Sequence, residues 1–360
     1  MSHSGRSAPA PGPFASVVAC RKPSTAGFLR WARPPTTFQL MSEANVNGRF
    51  SRRRFVGLTI GGSVAAFFSG GRATSRGERA IEIATNPTFK IGGDLEVNRL
   101  GFGAMRITGP GIWGWPKDRE EAKRVLRRAV ELNVNLIDTA DAYGPETSEL
   151  LIAEALYPYP KGLVIATKGG NTRPGPNQWV PDGRPEYLTR CVDNSLKRLR
   201  LERIDLYQLH RVDPKVPMEE SLGALKKMQE AGKIRHVGLS EVSPEQIARA
   251  RKVLPIVTVQ NRYNLNDRKW DDTLAYCEKE NIGFMPWRPV GGGSGSVDTK
   301  AVEKVARARG ATSYQIALAW LLARSRVMLP IPGTSSVAHL EENLAAAKLK
   351  LTPEEMAALS

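Results

Sequence analysis

The stretch Gly232-Lys233-Ile234-Arg235-His236-Val237-Gly238-Leu239-Ser240-Glu241-Val242-Ser243-Pro244-Glu245 contains the end of one helix, a whole strand and the start of the next helix. Gly232 closes a segment, 217–231, in which Leu222, Leu225 and Met228 recur at spacings of three; glycine most readily takes the left-handed turn after a helix. Residues 234–240 form a short run rich in Ile, Val and Leu, as a buried strand requires. Ser243-Pro244 then supplies a capping side chain and a first helical position for a helix over 245–252, and a second apolar run follows at 256–260. Helix, strand, helix, strand in that order is the repeat of a parallel sheet covered by helices.

The same unit recurs in both directions. Strands are predicted at 97–102, 135–138, 163–168, 204–210, 234–240, 256–260, 283–287 and 327–331, and Asp118 caps a helix over 119–132. Eight strands, each followed by a helix, over about 270 residues have the size and order of an α/β fold of the (β/α)8 TIM barrel kind. Residues 88–97, centred on Gly92-Gly93-Asp94, predict an N-terminal β-hairpin ahead of the first barrel strand. An open doubly wound sheet is the alternative. However, Gly101-Phe102-Gly103-Ala104-Met105-Arg106 lacks the third glycine of a dinucleotide fingerprint and has no helix directly after it. The chain thus divides into an extension, 1–86, and a barrel domain, 88–360.

The 360 residues are 41% apolar and 24% charged, enough to bury one large core. Lys and Arg number 52 against 36 acidic residues, but the excess is uneven: residues 1–80 hold 12 basic side chains and only Glu43 and Glu78 as acids. No stacking aromatics are interleaved with those charges, so nucleic acid is not expected as a partner. Cys20, Cys191 and Cys277 are too dispersed for a metal site, and none is predicted. The apolar run 55–68 is shorter than the roughly 20 residues of a bilayer span, so no permanent membrane span is expected. From Met41 the order is a polar stretch, then Ser51-Arg52-Arg53-Arg54-Phe55-Val56, then the apolar run, then small residues to Ala73. That order is the order of a bacterial export signal, and the paired arginines resemble the twin-arginine motif. The expectation is a signal over about 41–73. It would be read by the twin-arginine export machinery and would place the protein in the periplasm; a basic tail on a cytoplasmic protein is the alternative.

In a barrel the chemistry lies where the strands end at their C-terminal side. Asp138 ends the second predicted strand, Tyr143 follows in its loop, Lys168 ends the third and His210 the fourth. Singly, Asp138 also fits a helix cap, Tyr143 a loop anchor, Lys168 a capping charge and His210 a satisfied core histidine. Jointly they can protonate a carbonyl oxygen. A phenol with a pKa near 10 serves as an acid when a neighbouring ammonium stabilises its anion, a carboxylate holds that ammonium, and an imidazole orients the carbonyl. This set needs no metal and contains no nucleophile, which points to hydride from a nicotinamide. A phosphate-binding role fits the loop 291–295 after the seventh strand and Gly333-Thr334-Ser335-Ser336 after the eighth, or both are ordinary loops.

These residues resemble the aldo-keto reductase family. The resemblance is carried by residues 135–144, 165–168, 205–210 and 232–240, and extends from about Thr88 to the C-terminus. It implies an NAD(P)-dependent oxidoreductase that reduces a small-molecule aldehyde or ketone, with Asp138, Tyr143, Lys168 and His210 as the catalytic tetrad. It also implies cofactor contacts from Gly103 and Met105, from Ser240 and Gln260 to the nicotinamide carboxamide, and from Trp287 stacking on the ring. Ile331-Pro332-Gly333-Thr334-Ser335-Ser336 and His339-Leu340-Glu341-Glu342-Asn343 are similar to the adenosine-binding segment, which implicates Gly333, Thr334, Ser335, His339, Glu342 and Asn343. Three positions depart from the family pattern: Gly333 replaces a common Lys, His339 a common Arg, and Glu241 the Asn usual after Ser240. NADP(H) is expected ahead of NAD(H), without the usual fixed charge. The loop 103–111 and the Gly-Thr-Ser-Ser ending resemble a bacterial group that includes pyridoxal reductases. Trp113, Trp115 and Trp179 fall in predicted loops, where they either line a pocket for an aromatic carbonyl compound or pack the loops onto the barrel. A non-catalytic, nucleotide-sensing accessory subunit on the same fold is the alternative function.

Overall fold

The computed structural model describes residues 87–291, 297 and 299–359; the expected signal at 41–73, the rest of the extension and residues 292–295 of the glycine-rich loop lie outside the described residues. Seven strands form one parallel sheet: β3 (Phe102–Gly103), β4 (Leu136–Asp138), β5 (Val164–Gly169), β8 (Ile204–Leu209), β9 (Ile234–Ser240), β10 (Ile256–Gln260) and β11 (Gly283–Phe284), side by side in that order. A short antiparallel pair, β6 (Asn171–Thr172) with β7 (Val180–Pro181), follows β5. The helices are α1 (Arg119–Glu131), α2 (Thr147–Leu156), α3 (Pro185–Leu199), α4 (Met218–Glu230), α5 (Pro244–Ala250), α6 (Asp271–Glu280), α7 (Lys300–Arg309), α8 (Ser313–Arg324), α9 (Val337–Ala345) and α10 (Pro353–Ala358).

The helix ends follow from local chemistry. Asp118 accepts the Glu121 backbone N–H at 2.8 Å and starts α1. Ser243 and Gln246 exchange side-chain bonds with each other's backbone to start α5, a device that contributes about 1 kcal/mol. Gly232 stands just past α4 at φ +74°.

The eighth predicted strand, 327–331, is not a regular strand, and its composition explains why. Pro330 and Pro332 have no N–H, so this segment pairs mainly by accepting. It pairs nonetheless on both sides: Phe284 N–H donates to Val327 O at 2.8 Å and Leu329 N–H to Phe284 O at 2.7 Å, while Gly101 and Gly103 N–H donate to Pro330 O and Pro332 O at 2.9 and 3.1 Å. These bonds join the two edges of the seven-stranded sheet and close the barrel. Arg99 braces the seam, donating to Leu322 O, Ser325 O and Met328 O at 2.6, 2.5 and 3.2 Å. Burial lowers its guanidinium pKa to about 10, which leaves it charged at neutral pH.

The hairpin β1 (Thr88–Ile91) and β2 (Leu95–Asn98) turns at Gly92 and Gly93. Asp94 anchors it to β9 through Arg235 at 2.7 Å and His236 at 2.6 Å. It takes Val97 and Asn98, which pair back onto Phe89 and Thr88, so the first barrel strand shrinks from the expected 97–102 to Phe102–Gly103.

Candidate active site

Register brings the polar strand ends together. Gly103 pairs with Asp138, Asp138 with Ala166, and Lys168 with Gln208, so side chains from neighbouring strands converge at one end of the sheet. The loop after β4 is fixed by its backbone: Asp141 N–H donates to Lys168 O at 3.0 Å, and Ser148 N–H to Tyr143 O at 3.1 Å. Thr139 and Ser148 share a 2.7 Å hydroxyl bond, and Ser148 reaches Ala104 O, tying this loop to the turn after β3.

Lys168 is the centre of the cluster and wholly buried. Its Nζ donates to Asp138 Oδ2 at 2.7 Å, Thr139 O at 2.8 Å and Tyr143 Oη at 3.3 Å. The other carboxylate oxygen of Asp138 accepts from Gln260 Nε2 at 2.8 Å and Gln208 Nε2 at 3.1 Å. Burial opposes the charge on Lys168, but Asp138 and Tyr143 outweigh it and raise the ammonium pKa. Burial raises the Tyr143 phenol above its ordinary 10.0, with Lys168 pulling the other way and Asp138 adding to the rise. The pull of Lys168 expected from the sequence is present, but in the free chain desolvation is larger.

His210 lies edge-on to Tyr143, ring centroids 5.7 Å apart, and Trp179 meets both rings at 6.1 and 5.9 Å. Burial, then Lys168, Arg211 and Arg173, push its pKa well below the usual value, so the ring is neutral, and its Nδ1 is buried without a partner. A neutral imidazole can still donate one hydrogen bond to a carbonyl oxygen.

Tyr143, His210, Asp138 and Trp179 line a cavity of about 600 Å³ with Gly103, Met105, Trp287 and Gly333. Thr334 and Ser335 line an adjoining cavity of about 440 Å³ with Met105 and Gly333. Lys168 stands behind this surface. Ser240 and Gln260 are buried beside it, Ser240 Oγ accepting from Arg211 Nη1 at 2.8 Å. His339, Glu342 and Asn343 line neither cavity; His339 is exposed, and Glu342 accepts from Thr312 Oγ1 at 2.6 Å. Of the three loop tryptophans only Trp179 lines the large cavity. The guanidinium of Arg119 covers Trp115 at 3.8 Å, and Arg173 stands 5.6 Å from Trp113 and 3.7 Å from Trp179.

Several further residues belong to the site although they do not stand at predicted strand ends. Gln208 lies two residues before His210 on β8, hence on the same face, a signal that period-two alternation carries. Glu241 and Arg211 gave no such signal: Trp287 Nε1 donates to Glu241 Oε1 at 2.7 Å, and Arg211 bonds His210 O at 2.7 Å as well as Ser240. Three guanidiniums, from Arg106, Arg211 and Arg288, line the large cavity, and among the described residues none has an ion pair within 4 Å. The one carboxylate among the described residues there, Asp138, is already bonded to Lys168. A fixed indole wall beside unneutralised guanidiniums fits a ligand that carries a flat ring and phosphates, as a nicotinamide dinucleotide does.

Comparison with known proteins agrees with this chemistry. The chain matches the aldo/keto reductase family over residues 99–360 and belongs to that family. It is 51% identical over 280 residues to an uncharacterized oxidoreductase of Schizosaccharomyces pombe, covering 78% of this chain and 91% of the relative. It is 45% identical over 278 residues to pyridoxine 4-dehydrogenase of Escherichia coli, covering 76% and 96%. Among solved structures it is similar to an aldo/keto reductase of Klebsiella pneumoniae in complex with NADP and acetate, with TM-score 0.65, 26% identity, and 76% and 94% of the two chains covered. The chain is an NAD(P)-dependent oxidoreductase that reduces aldehydes or ketones.

Proposed function

We propose that this reductase uses NADPH ahead of NADH and acts on a flat aromatic aldehyde of the pyridoxal kind. In this reading Tyr143 is the proton donor, Lys168 and Asp138 its electrostatic support, and His210 the group that orients the carbonyl. The carrying observation is the buried Lys168 ammonium, which touches Asp138 and Tyr143 at once beside an open cavity. A reduced nicotinamide, when bound, supplies the hydride that the carbonyl carbon accepts. Tyr143 Oη gives its proton to the carbonyl oxygen, completing the alcohol, and Lys168 stabilises the phenolate left behind. Neutral His210 donates to the same oxygen and draws it toward Tyr143. Gln208 and Gln260 hold Asp138, and Glu241 holds Trp287, the wall on which the nicotinamide would lie.

The aromatic substrate class is supported by the rings of Trp179, His210 and Tyr143 around one corner of the cavity, and by the likeness to pyridoxine 4-dehydrogenase. The test is NADPH oxidation with pyridoxal, benzaldehyde and a short aliphatic aldehyde. Turnover with the aliphatic compound alone would exclude the aromatic class, and no turnover with any of them in a nucleotide-binding protein would favour the accessory-subunit alternative.

Residues 1–86 are proposed to be an extension ahead of the catalytic domain, with 41–73 as a twin-arginine signal that exports the folded enzyme to the periplasm. The support is the order of charges, apolar run and small residues from Met41 to Ala73. Replacing Arg52, Arg53 and Arg54 by Lys is expected to hold the protein in the cytoplasm on fractionation. A wild-type protein found wholly cytoplasmic with residues 41–73 retained would refute the proposal.

A further inference from the structure

Position 333 is where the family commonly places a lysine, and the backbone here has no room for one. A Cβ on Gly333 would stand 2.5 Å from Gly103 O, closer than real side chains approach a backbone oxygen. That oxygen is held by the barrel seam, through the Gly103 N–H bond to Pro332 O at 3.1 Å. Beyond the Gly103 carbonyl, whose carbon would lie at 3.4 Å, such a Cβ would meet Arg106 Cγ at 3.7 Å. The stem of Arg106 therefore lies over Gly333, and its guanidinium starts from the space that a side chain at 333 would otherwise enter.

The surroundings of Arg106 are those of an anion site. Its side chain is exposed and has no hydrogen-bond or ion-pair partner among the described residues. It lines both the large cavity and the adjoining one of about 440 Å³, and among the described residues it is the only charged group in the latter. The hydroxyls of Thr334 and Ser335 are also in that wall, and among the described residues no carboxylate is. A guanidinium without a counter-ion, flanked by hydroxyls, recognises a phosphate group well.

We infer that Arg106 supplies the fixed positive charge that Gly333 and His339 do not, and binds a phosphate group of the dinucleotide. This rests on the reading of the large cavity as the nicotinamide site. The phosphate is either the pyrophosphate, common to both dinucleotides, or the 2′-phosphate of NADPH.

The test is equilibrium titration of the purified full-length protein with NADPH and with NADH, followed by quenching of tryptophan emission, at low and at high salt. Arg106→Gln is expected to weaken NADPH binding about tenfold at low salt, with the difference from wild type shrinking as salt rises. Arg106→Lys is expected to recover part of the loss. An equal loss for NADH assigns Arg106 to the pyrophosphate, and a loss confined to NADPH assigns it to the 2′-phosphate. If wild type binds both dinucleotides and Arg106→Gln binds them equally well, the inference about Arg106 is overturned and the cavity keeps its reading. If wild type binds neither, the reading of the cavity falls and takes the inference with it.

Discussion

Glu241 fixes the indole of Trp287. The indole Nε1 donates to Glu241 Oε1 at 2.7 Å, and the same oxygen accepts the backbone N–H of Arg262 at 2.7 Å. Glu241 adopts φ +56° to do this, a conformation unfavourable for a residue with a side chain. The carboxylate that replaces the family's usual Asn is thus directed at the cavity wall. Glu241→Gln retains an oxygen acceptor and is expected to leave dinucleotide affinity within a few-fold. Glu241→Ala leaves two N–H donors without their acceptor, at a cost of about 1–3 kcal/mol in stability. It should also weaken the dinucleotide Kd by about tenfold, a difference of about 1.4 kcal/mol. Thermal melts and fluorescence titration of the three proteins read both effects. Equal affinities in all three would remove Trp287 from the binding surface.

Tyr143→Phe removes a proton donor whose one side-chain hydrogen bond among the described residues comes from Lys168 at 3.3 Å. The fold and the dinucleotide Kd are expected to persist, while kcat for aldehyde reduction falls about 10²–10⁴-fold. A kcat within a few-fold of wild type would assign the proton to another group.

Lys168→Met leaves Asp138 buried with only two amides as partners, which costs about 3–5 kcal/mol. Pairing it with Asp138→Asn removes the isolated charge, so the double variant is expected to recover most of the stability and none of the activity. Urea unfolding and turnover, measured on the two single variants and the double, separate the structural role of the pair from its chemical one. The wild-type pair also carries a pH signature. The folded pKa of Lys168 lies above its ordinary 10.5, so its stabilising contribution is present below that value and disappears only as pH rises beyond it.

Alternating βα units, capped helices and polar strand ends were legible because each is local: Asp118, Ser243 and Gly232 act within a few residues of their own helices. What was not legible depended on the other side of the barrel. The hairpin captures Val97 and Asn98 because Thr88 and Phe89 pair with them. The eighth segment pairs without becoming a regular strand because two prolines interrupt its donors. Asp138, Tyr143, Lys168 and His210 were legible as a group by contrast, because they follow strand ends that register between β4, β5 and β8 places level. Arg106 carries no local sign of a ligand group, because its relation to Gly333 exists only across the closed seam.

Asp141, in the loop after β4, is a buried carboxyl. Burial, then the nearby Glu149, push its carboxyl up to about 7, and its Oδ1 is buried without a partner. A folded pKa above the unfolded value means that the folded state holds the proton more tightly. The associated stability is complete below about pH 4 and is lost as pH rises to about 7. Asp141→Asn cannot ionise and is expected to be more stable than wild type at pH 8 by a few kcal/mol, with the gain vanishing near pH 4. Chemical denaturation at the two pH values tests this; a constant difference would mean that folding leaves the pKa of this carboxyl where it is in the unfolded chain.

The seam that closes the barrel is crowded on both sides. Gly103 and Gly333 face one another so closely that a Cβ on Gly103 would lie 2.6 Å from Ile331 O, and one on Gly333 would lie 2.5 Å from Gly103 O. Both obstacles are backbone oxygens in paired segments, so neither can turn away as a flexible side chain would. Gly333→Ala and Gly103→Ala must each push the eighth segment off β3, lengthening the Gly103 N–H bond to Pro332 O, at an expected cost of about 1–3 kcal/mol. The comparison that isolates crowding from the general effect of removing a glycine is Gly223→Ala. Gly223 lies within α4 with nothing within 4 Å of its would-be Cβ, so alanine there should stabilise by up to about 1 kcal/mol. Thermal melts of the three variants are expected to move in opposite directions, with Gly333→Ala and Gly103→Ala below wild type and Gly223→Ala at or above it. If Gly333→Ala melts with wild type, the seam is loose enough to admit a side chain. Crowding by Gly103 would then no longer explain why the family's lysine is absent from position 333.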